Sequence, residues 1–160
     1  MVKIALKVKA NLENVTNLKP ANDDFEWIIK VKCNSCNEAS DKWHQLTVKE
    51  TYELKGSRGE AHFVYKCKLC SITSSISILP ETIGSYNADD SLKFKKLIVF
   101  DCRGIEPIDY QPRDGFVCEG LESGKVFSAV EFQDGEWADY DEKANESVGI
   151  YEFESKFERD

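Results

Sequence analysis

An all-β fold of antiparallel sheets packed face to face is the class this sequence predicts, and three observations carry it. Apolar residues recur at every second position in run after run. Turn-forming residues separate the runs: Asn22-Asp23, Gly56-Ser57-Arg58-Gly59, Pro80, Gly104, Asp114-Gly115 and Asp134-Gly135. Helical periodicity is nearly absent. Only 139–147 could make one or two turns, and no apolar stripe extends it.

The first strand is the clearest, with Ile4, Leu6, Val8, Ala10 and Leu12 alternating with Lys3, Ala5, Lys7, Lys9 and Asn11. Trp27, Ile29, Val31 and Cys33 repeat the alternation and run into a cysteine pair. Phe63, Tyr65 and Cys67 do the same into a second pair, and Ile72, Ser74, Ile76 and Ile78 lead away from it. Phe94, Lys96, Ile98 and Phe100 predict a further strand, and 126–132 and 148–157 two more. A chain of 160 residues suits one core of ordinary size, so a single domain over 1–160 is expected. A faint echo suggests two halves, 1–90 and 91–160, since a 90-residue shift lays Ile4, Val8, Ala10, Val15 and Leu18 on Phe94, Ile98, Phe100, Ile105 and Ile108. Two amphipathic strands also resemble each other by chance, and only the first half has cysteine pairs.

Composition narrows the functional classes. A hydrophobic fraction of 41% with 31% charged residues marks a folded, soluble chain rather than a disordered one. No apolar run approaches the roughly 20 residues that span a bilayer, and the lysine-studded start has no secretory apolar core. The expected setting is therefore the cytoplasm, with the nucleus as the other option, where paired cysteines bind metal more often than they form disulfides. Of the net charge of −8, all falls in 131–160, which hold eleven acidic residues against Lys143, Lys156 and Arg159. The rest of the chain is neutral, so no basic footprint for nucleic acid exists. The acidic end reads first as a solvated face, then as a docking surface for a basic partner.

The chemistry lies in KCNSC (32–36) and KCKLC (66–70). Two residues between cysteines let the backbone turn as a knuckle that brings both sulfurs to one edge of a tetrahedron, and two knuckles supply four corners. Cys33, Cys36, Cys67 and Cys70 are thus the candidate ligands of a closed, zinc-ribbon-like Zn2+ site. An iron centre has the same sulfur tetrahedron; redox dithiols or disulfides are the other competing readings. Asn37 suits the left-handed backbone a knuckle needs, and Ser71 suits it less. A hairpin near 43–55 fits between the knuckles, and Lys32, Lys66 and Lys68 are placed to offset the charge of a four-thiolate site. Neither His44 nor His62 is needed as a ligand.

Catalytic signatures are missing. The sequence contains no phosphate-binding loop, dinucleotide fingerprint, H-E-x-x-H or G-x-S-x-G. Four-cysteine zinc has no open position for water, so it does not by itself hydrolyse anything. Cys102, with Arg103 beside it, is the one candidate reactive thiol, in a thiol or sulfoxide oxidoreductase braced by structural zinc. Burial as a small apolar side chain is the ordinary fate of such a cysteine, and of Cys118 in its apolar setting.

LENVTNL (12–18), CNSC, CKLC, FDCRGIEPIDYQP (100–112) and DYDEKANESVGIYEF (139–153) together resemble the eukaryotic CXXC-motif-containing zinc-binding protein family. The resemblance covers nearly the whole chain in order. It implies an all-β protein with zinc on the four cysteines named above, a cytosolic setting and no established catalytic residues. The leading expectation is a non-enzymatic, monomeric zinc-binding protein that acts through a protein partner, with 101–115 and 133–147 as docking segments. The Cys102 oxidoreductase is the alternative.

Overall fold

The computed structural model describes residues 2–56 and 58–160; Met1 and Ser57, the latter within the expected 56–59 turn, lie outside the described residues. Fourteen strands and two short 3-10 turns make up the regular structure described. In chain order the strands are β1 (Val2–Glu13), β2 (Val15–Pro20), β3 (Trp27–Cys33), β4 (His44–Leu46), β5 (Tyr52–Glu53), β6 (Glu60–Ala61) and β7 (Phe63–Lys66). Then come β8 (Thr73–Ile78), β9 (Lys95–Arg103), β10 (Ile105–Tyr110), β11 (Phe116–Gly120), β12 (Val126–Val130), β13 (Trp137–Asp141) and β14 (Glu146–Arg159). All pairings are antiparallel, as expected of the class.

Six strands form the main sheet in the order β13-β14-β1-β9-β8-β7. Two three-stranded sheets, β10-β3-β4 and β12-β11-β2, and the short β5-β6 pair complete the set. The alternation in β1 becomes burial of Ile4, Leu6, Val8 and Ala10, with half-buried or exposed lysines between them. Trp27 is the hub of the core. Its ring lies 4.6 Å from Phe25 and 6.3 Å from Phe100, and Phe25 meets Phe116 at 4.8 Å, all edge-on. Edge-on aromatic pairs add about 0.5–1.5 kcal/mol each beyond their burial, and these tie β3, β9 and β11 into one apolar interior.

Two expectations need correcting. The 139–147 stretch is the β13–β14 hairpin rather than helical turns, because Trp137 pairs with Ile150 and Asp141 with Glu146 across a tight turn. No hairpin occupies 43–55: β4 pairs with β3 and β5 with β6, so the residues here join different partners. Short strands β2, β10, β11 and β13, whose apolar residues are too few for a clear alternation, were not separately expected. Three of the eleven acidic residues of 131–160 form ion pairs on the solvated surface: Glu158 meets Lys7 at 2.7 Å, Glu154 meets Lys9 at 3.8 Å, and Asp160 meets Lys96 at 3.0 Å. Among the described residues, no helix is long and apolar enough to cross a membrane.

Candidate metal centre

Each cysteine pair grows from the end of a strand. Cys33 closes β3, where it sits opposite Ile105 of β10. Cys67 follows β7, whose last residue, Lys66, sits opposite Thr73 of β8. In the first knuckle, Asn37 N–H donates to Cys33 O at 2.8 Å and Cys33 N–H to Glu38 O at 2.9 Å. In the second, Ser71 N–H donates to Cys67 O at 2.9 Å and Cys67 N–H to Ile72 O at 3.0 Å. Asn37 takes φ 64° as its residue type suggests, and Ser71 takes φ 63° although serine is less suited to it.

Tertiary structure brings the two turns together through a corner that the sequence marks only as a turn. β9 turns into β10 at Gly104, which has φ 77°. The carbonyl of Gly104 accepts from Asn34 N–H at 3.0 Å and from Ser74 Oγ at 3.1 Å, so it holds a residue inside the first knuckle and one just beyond the second. A Cβ there would lie 2.8 Å from Ser74 Oγ, so the corner needs glycine for space as well as conformation. The signal available in the sequence was a lone glycine between two strand-like runs.

All four sulfurs lie within 4.8 Å of one another, with Cys33 to Cys70 at 3.7 Å and Cys36 to Cys67 at 3.6 Å. A tetrahedron with Zn–S near 2.3 Å has an edge of about 3.8 Å, so the donor set has the size and chemistry of a zinc site. Electrostatics support the same fit. The backbone N–H groups of Cys36 and Ser35 pull the Cys33 thiol below its ordinary value. That of Cys70, helped by Leu69, brings Cys67 down to about 7 against the opposing effect of burial. At Cys36 the Glu38 N–H also acts downward, yet burial and the neighbouring sulfurs together outweigh it and push the thiol up to about 12. Four crowded sulfurs cannot all ionise unless a cation compensates them, which is what a divalent metal supplies.

The other candidate residues are not members of the sulfur cluster. Lys32 is engaged by Glu106 at 2.9 Å, so of the three lysines expected to offset the site's charge one is already partnered by a carboxylate. Lys66 and Lys68 are exposed. His62 Nδ1 accepts from Ile78 N–H at 2.9 Å, and His44 packs between Phe63 and Tyr65. Cys102 is buried at 2% exposure, and burial first, then Asp101 and Glu106, pushes its thiol up to about 12. A nucleophilic thiol needs the opposite shift and access to substrate. Cys118 is fully buried and likewise pushed up to about 12.

Comparison with known proteins identifies the family to which this four-sulfur site belongs. The model of the eukaryotic CXXC motif containing zinc binding protein family matches residues 5–158. The chain belongs to this family. A Bos taurus protein named CXXC motif containing zinc binding protein is 55% identical over 157 residues, covering 98% of each chain. The Drosophila melanogaster UPF0587 protein CG4646 is 44% identical, covering 98% of this chain and 97% of its own. Among solved structures, C1orf123 superposes with a TM-score of 0.95 at 52% identity and 99% coverage of both chains. A hypothetical protein from Plasmodium falciparum does so at 0.88 and 30%, covering 99% of this chain and all of its own. The family assignment and the four-sulfur cluster together make this a zinc-binding protein.

Proposed function

We propose that Cys33, Cys36, Cys67 and Cys70 hold one Zn2+ as a closed structural clamp, and that the protein works by docking another protein rather than by catalysis. The observation that carries this reading is the surface beside the clamp. Leu69, inside the second knuckle, is 67% exposed, and Ile72 just after it is 45% exposed. Exposed Lys66 and Lys68 precede them in the chain. Exposed apolar side chains with lysines next to them in the chain fit a partner surface that offers an apolar residue beside carboxylates. Segments 101–115 and 133–147 each offer one large exposed apolar side chain, Ile108 at 43% and Tyr140 at 48% exposure.

In this reading the zinc fixes the backbone that presents Leu69, with no open coordination position and no step of chemistry. The chain works as a monomer in the cytoplasm or nucleus, consistent with six cysteines free of disulfides, and it has no role on nucleic acid or membranes. Affinity capture and cross-linking with the wild type and with Leu69→Ser/Ile72→Ser test it. A partner held by the wild type and lost by the double variant, at unchanged zinc content, is the expected result. A partner held equally by both would remove the surface from the proposal. Failure to recover any partner, alongside a working turnover assay, would remove the docking function.

A further inference from the structure

The pairing of strands places 120–145 in the same relation to its sheets as 33–72 has to its own. In the two three-stranded sheets, β3 lies between β10 and β4, and β11 between β2 and β12. The main sheet reads alike from both edges when β1 exchanges with β9, β14 with β8 and β13 with β7. Registers agree residue by residue. Cys33 sits opposite Ile105 as Gly120 sits opposite Val15, and Ile76 sits opposite Cys102 as Ile150 sits opposite Leu12. Positions 15 and 105, and 12 and 102, differ by the 90 residues that relate the two strand patterns in the sequence.

The turns themselves correspond. Gly124 N–H donates to Gly120 O at 2.9 Å and Gly120 N–H to Lys125 O at 2.8 Å, which is the wiring of the 33–38 knuckle. Gly124 has φ 70°, where Asn37 has φ 64°. After β13, Asn145 takes φ 54°, the place Ser71 holds after Cys67. Even the polar contacts coincide. Asp141 Oδ1 accepts from Lys143 and Ala144 N–H at 3.0 and 3.1 Å, as the Cys67 sulfur accepts from Leu69 and Cys70. Ser123 Oγ accepts from Lys125 N–H at 3.1 Å, as Cys36 does from Glu38. Ser123 Oγ donates to Asp141 Oδ2 at 2.5 Å, where Cys36 and Cys67 stand sulfur to sulfur. Gly120 and Asp141 are buried and Ser123 and Ala144 half-buried, the order found at Cys33, Cys67, Cys36 and Cys70.

We propose that 120–124 and 141–145 form a second knuckle pair built on the plan of the zinc clamp, closed in this chain by Ser123 and the buried Asp141. We propose also that this frame accepts a second Zn2+ once positions 120, 123, 141 and 144 carry cysteine. The inference rests on the assignment of Cys33, Cys36, Cys67 and Cys70 as the ligands of the first zinc. A carboxylate suits the closing role because it accepts the two N–H groups a thiolate would accept and keeps an oxygen for the serine. Glycine suits position 120 because a Cβ there would lie 2.6 Å from Ser123 Oγ and closer still to Asp141 Oδ2.

The test is the full chain carrying Gly120→Cys, Ser123→Cys, Asp141→Cys and Ala144→Cys, produced with Zn2+ and weighed by native mass spectrometry. Two zinc ions per chain against one for the wild type is the expected count. One ion in a folded fourfold variant would overturn the second site, and so would failure to fold with zinc present, because a well-placed tetrahedron stabilises the fold it closes. Adding Cys67→Ser distinguishes the underlying assignment: the wild type should fall from one ion to none, and the fourfold variant from two to one. A wild-type count unmoved by Cys67→Ser breaks the first assignment, while the ion gained by the fourfold change still reports on the second. The native closure is read with Asp141→Ala, which should lower the melting temperature by on the order of 5–10 °C at an unchanged count of one zinc. An unchanged melting temperature would overturn the closing role of Asp141.

Discussion

At 33–37 and 67–71 two strand-ending turns meet through four sulfurs; at 120–124 and 141–145 two turns of the same hydrogen-bonded form meet through one hydroxyl and one buried carboxylate. The difference lies in how each junction balances its charge. Four thiolates within 4.8 Å would repel one another, and a divalent cation among them would offset that charge. Asp141 carries one charge and three donors already face it, so its junction closes with protein atoms alone. On the clamp reading proposed above, similar backbone frames would leave one junction dependent on metal and the other closed by protein atoms.

Removing zinc should break this symmetry with the largest effect. Structural zinc contributes about 10–16 kcal/mol to small folds, comparable with the whole stability of a typical domain at about 5–15 kcal/mol. A strong chelator, or Cys67→Ser, should therefore lower the melting temperature by roughly 15 °C or more. Hydrogen exchange should rise first at 33–38 and 67–72, while 120–124 and 141–145 keep their protection. Equal loss at both ends would show that the ends are not energetically separate.

Next in size come the glycines that support each junction. Gly104→Ala meets Ser74 Oγ at 2.8 Å and must keep φ 77°, so it should cost about 2–3 kcal/mol and speed zinc release. Gly120→Ala crowds Ser123 and Asp141 and should cost about 2 kcal/mol with zinc release unchanged. Denaturant melts and the rate of zinc transfer to a chromogenic chelator separate the two variants.

The carboxylate adds a dependence on pH. The Ser123 hydroxyl first, then the N–H groups of Ala144 and Lys143, hold the Asp141 carboxyl below its ordinary value of 3.8. A lowered folded-state value stabilises the fold above the unfolded pKa, and that contribution is lost as pH falls through the folded one. The gap in melting temperature between the wild type and Asp141→Asn should be widest above about pH 4 and close below it. A gap that stays constant down to pH 3 would mean the charge of Asp141 is not what closes the turn. The smallest effect is expected at the left-handed positions. Ser71→Gly and Asn145→Gly should each stabilise by up to about 1 kcal/mol, since both residues hold φ near 60° at a cost glycine avoids.

Much of the fold was legible in the residues. The alternation of Ile4, Leu6, Val8 and Ala10 meant a strand buried on one face, and it is one. The spacing of Cys33, Cys36, Cys67 and Cys70 meant four sulfurs in one place, because a knuckle is a local structure set by five residues. The 139–147 stretch misled because its charged residues lie in a tight turn whose strands pair across it, a relation that local composition does not carry. Gly104 was invisible as a support for the site, since its partners Asn34 and Ser74 are distant in the chain. Asp141 drew no notice among eleven acidic residues, and only its burial and its hydrogen bonds to Ser123, Lys143 and Ala144 set it apart.

Short-range chemistry is therefore what the sequence determined by itself: the strand class, the gathering of four cysteine sulfurs suited to zinc, and the absence of a recognisable catalytic motif. Tertiary structure decided which turns meet, where Cys102 ends up and which carboxylate is buried. These follow from β pairings between residues far apart in the chain, and no local pattern of side chains specifies which strand a given edge will find.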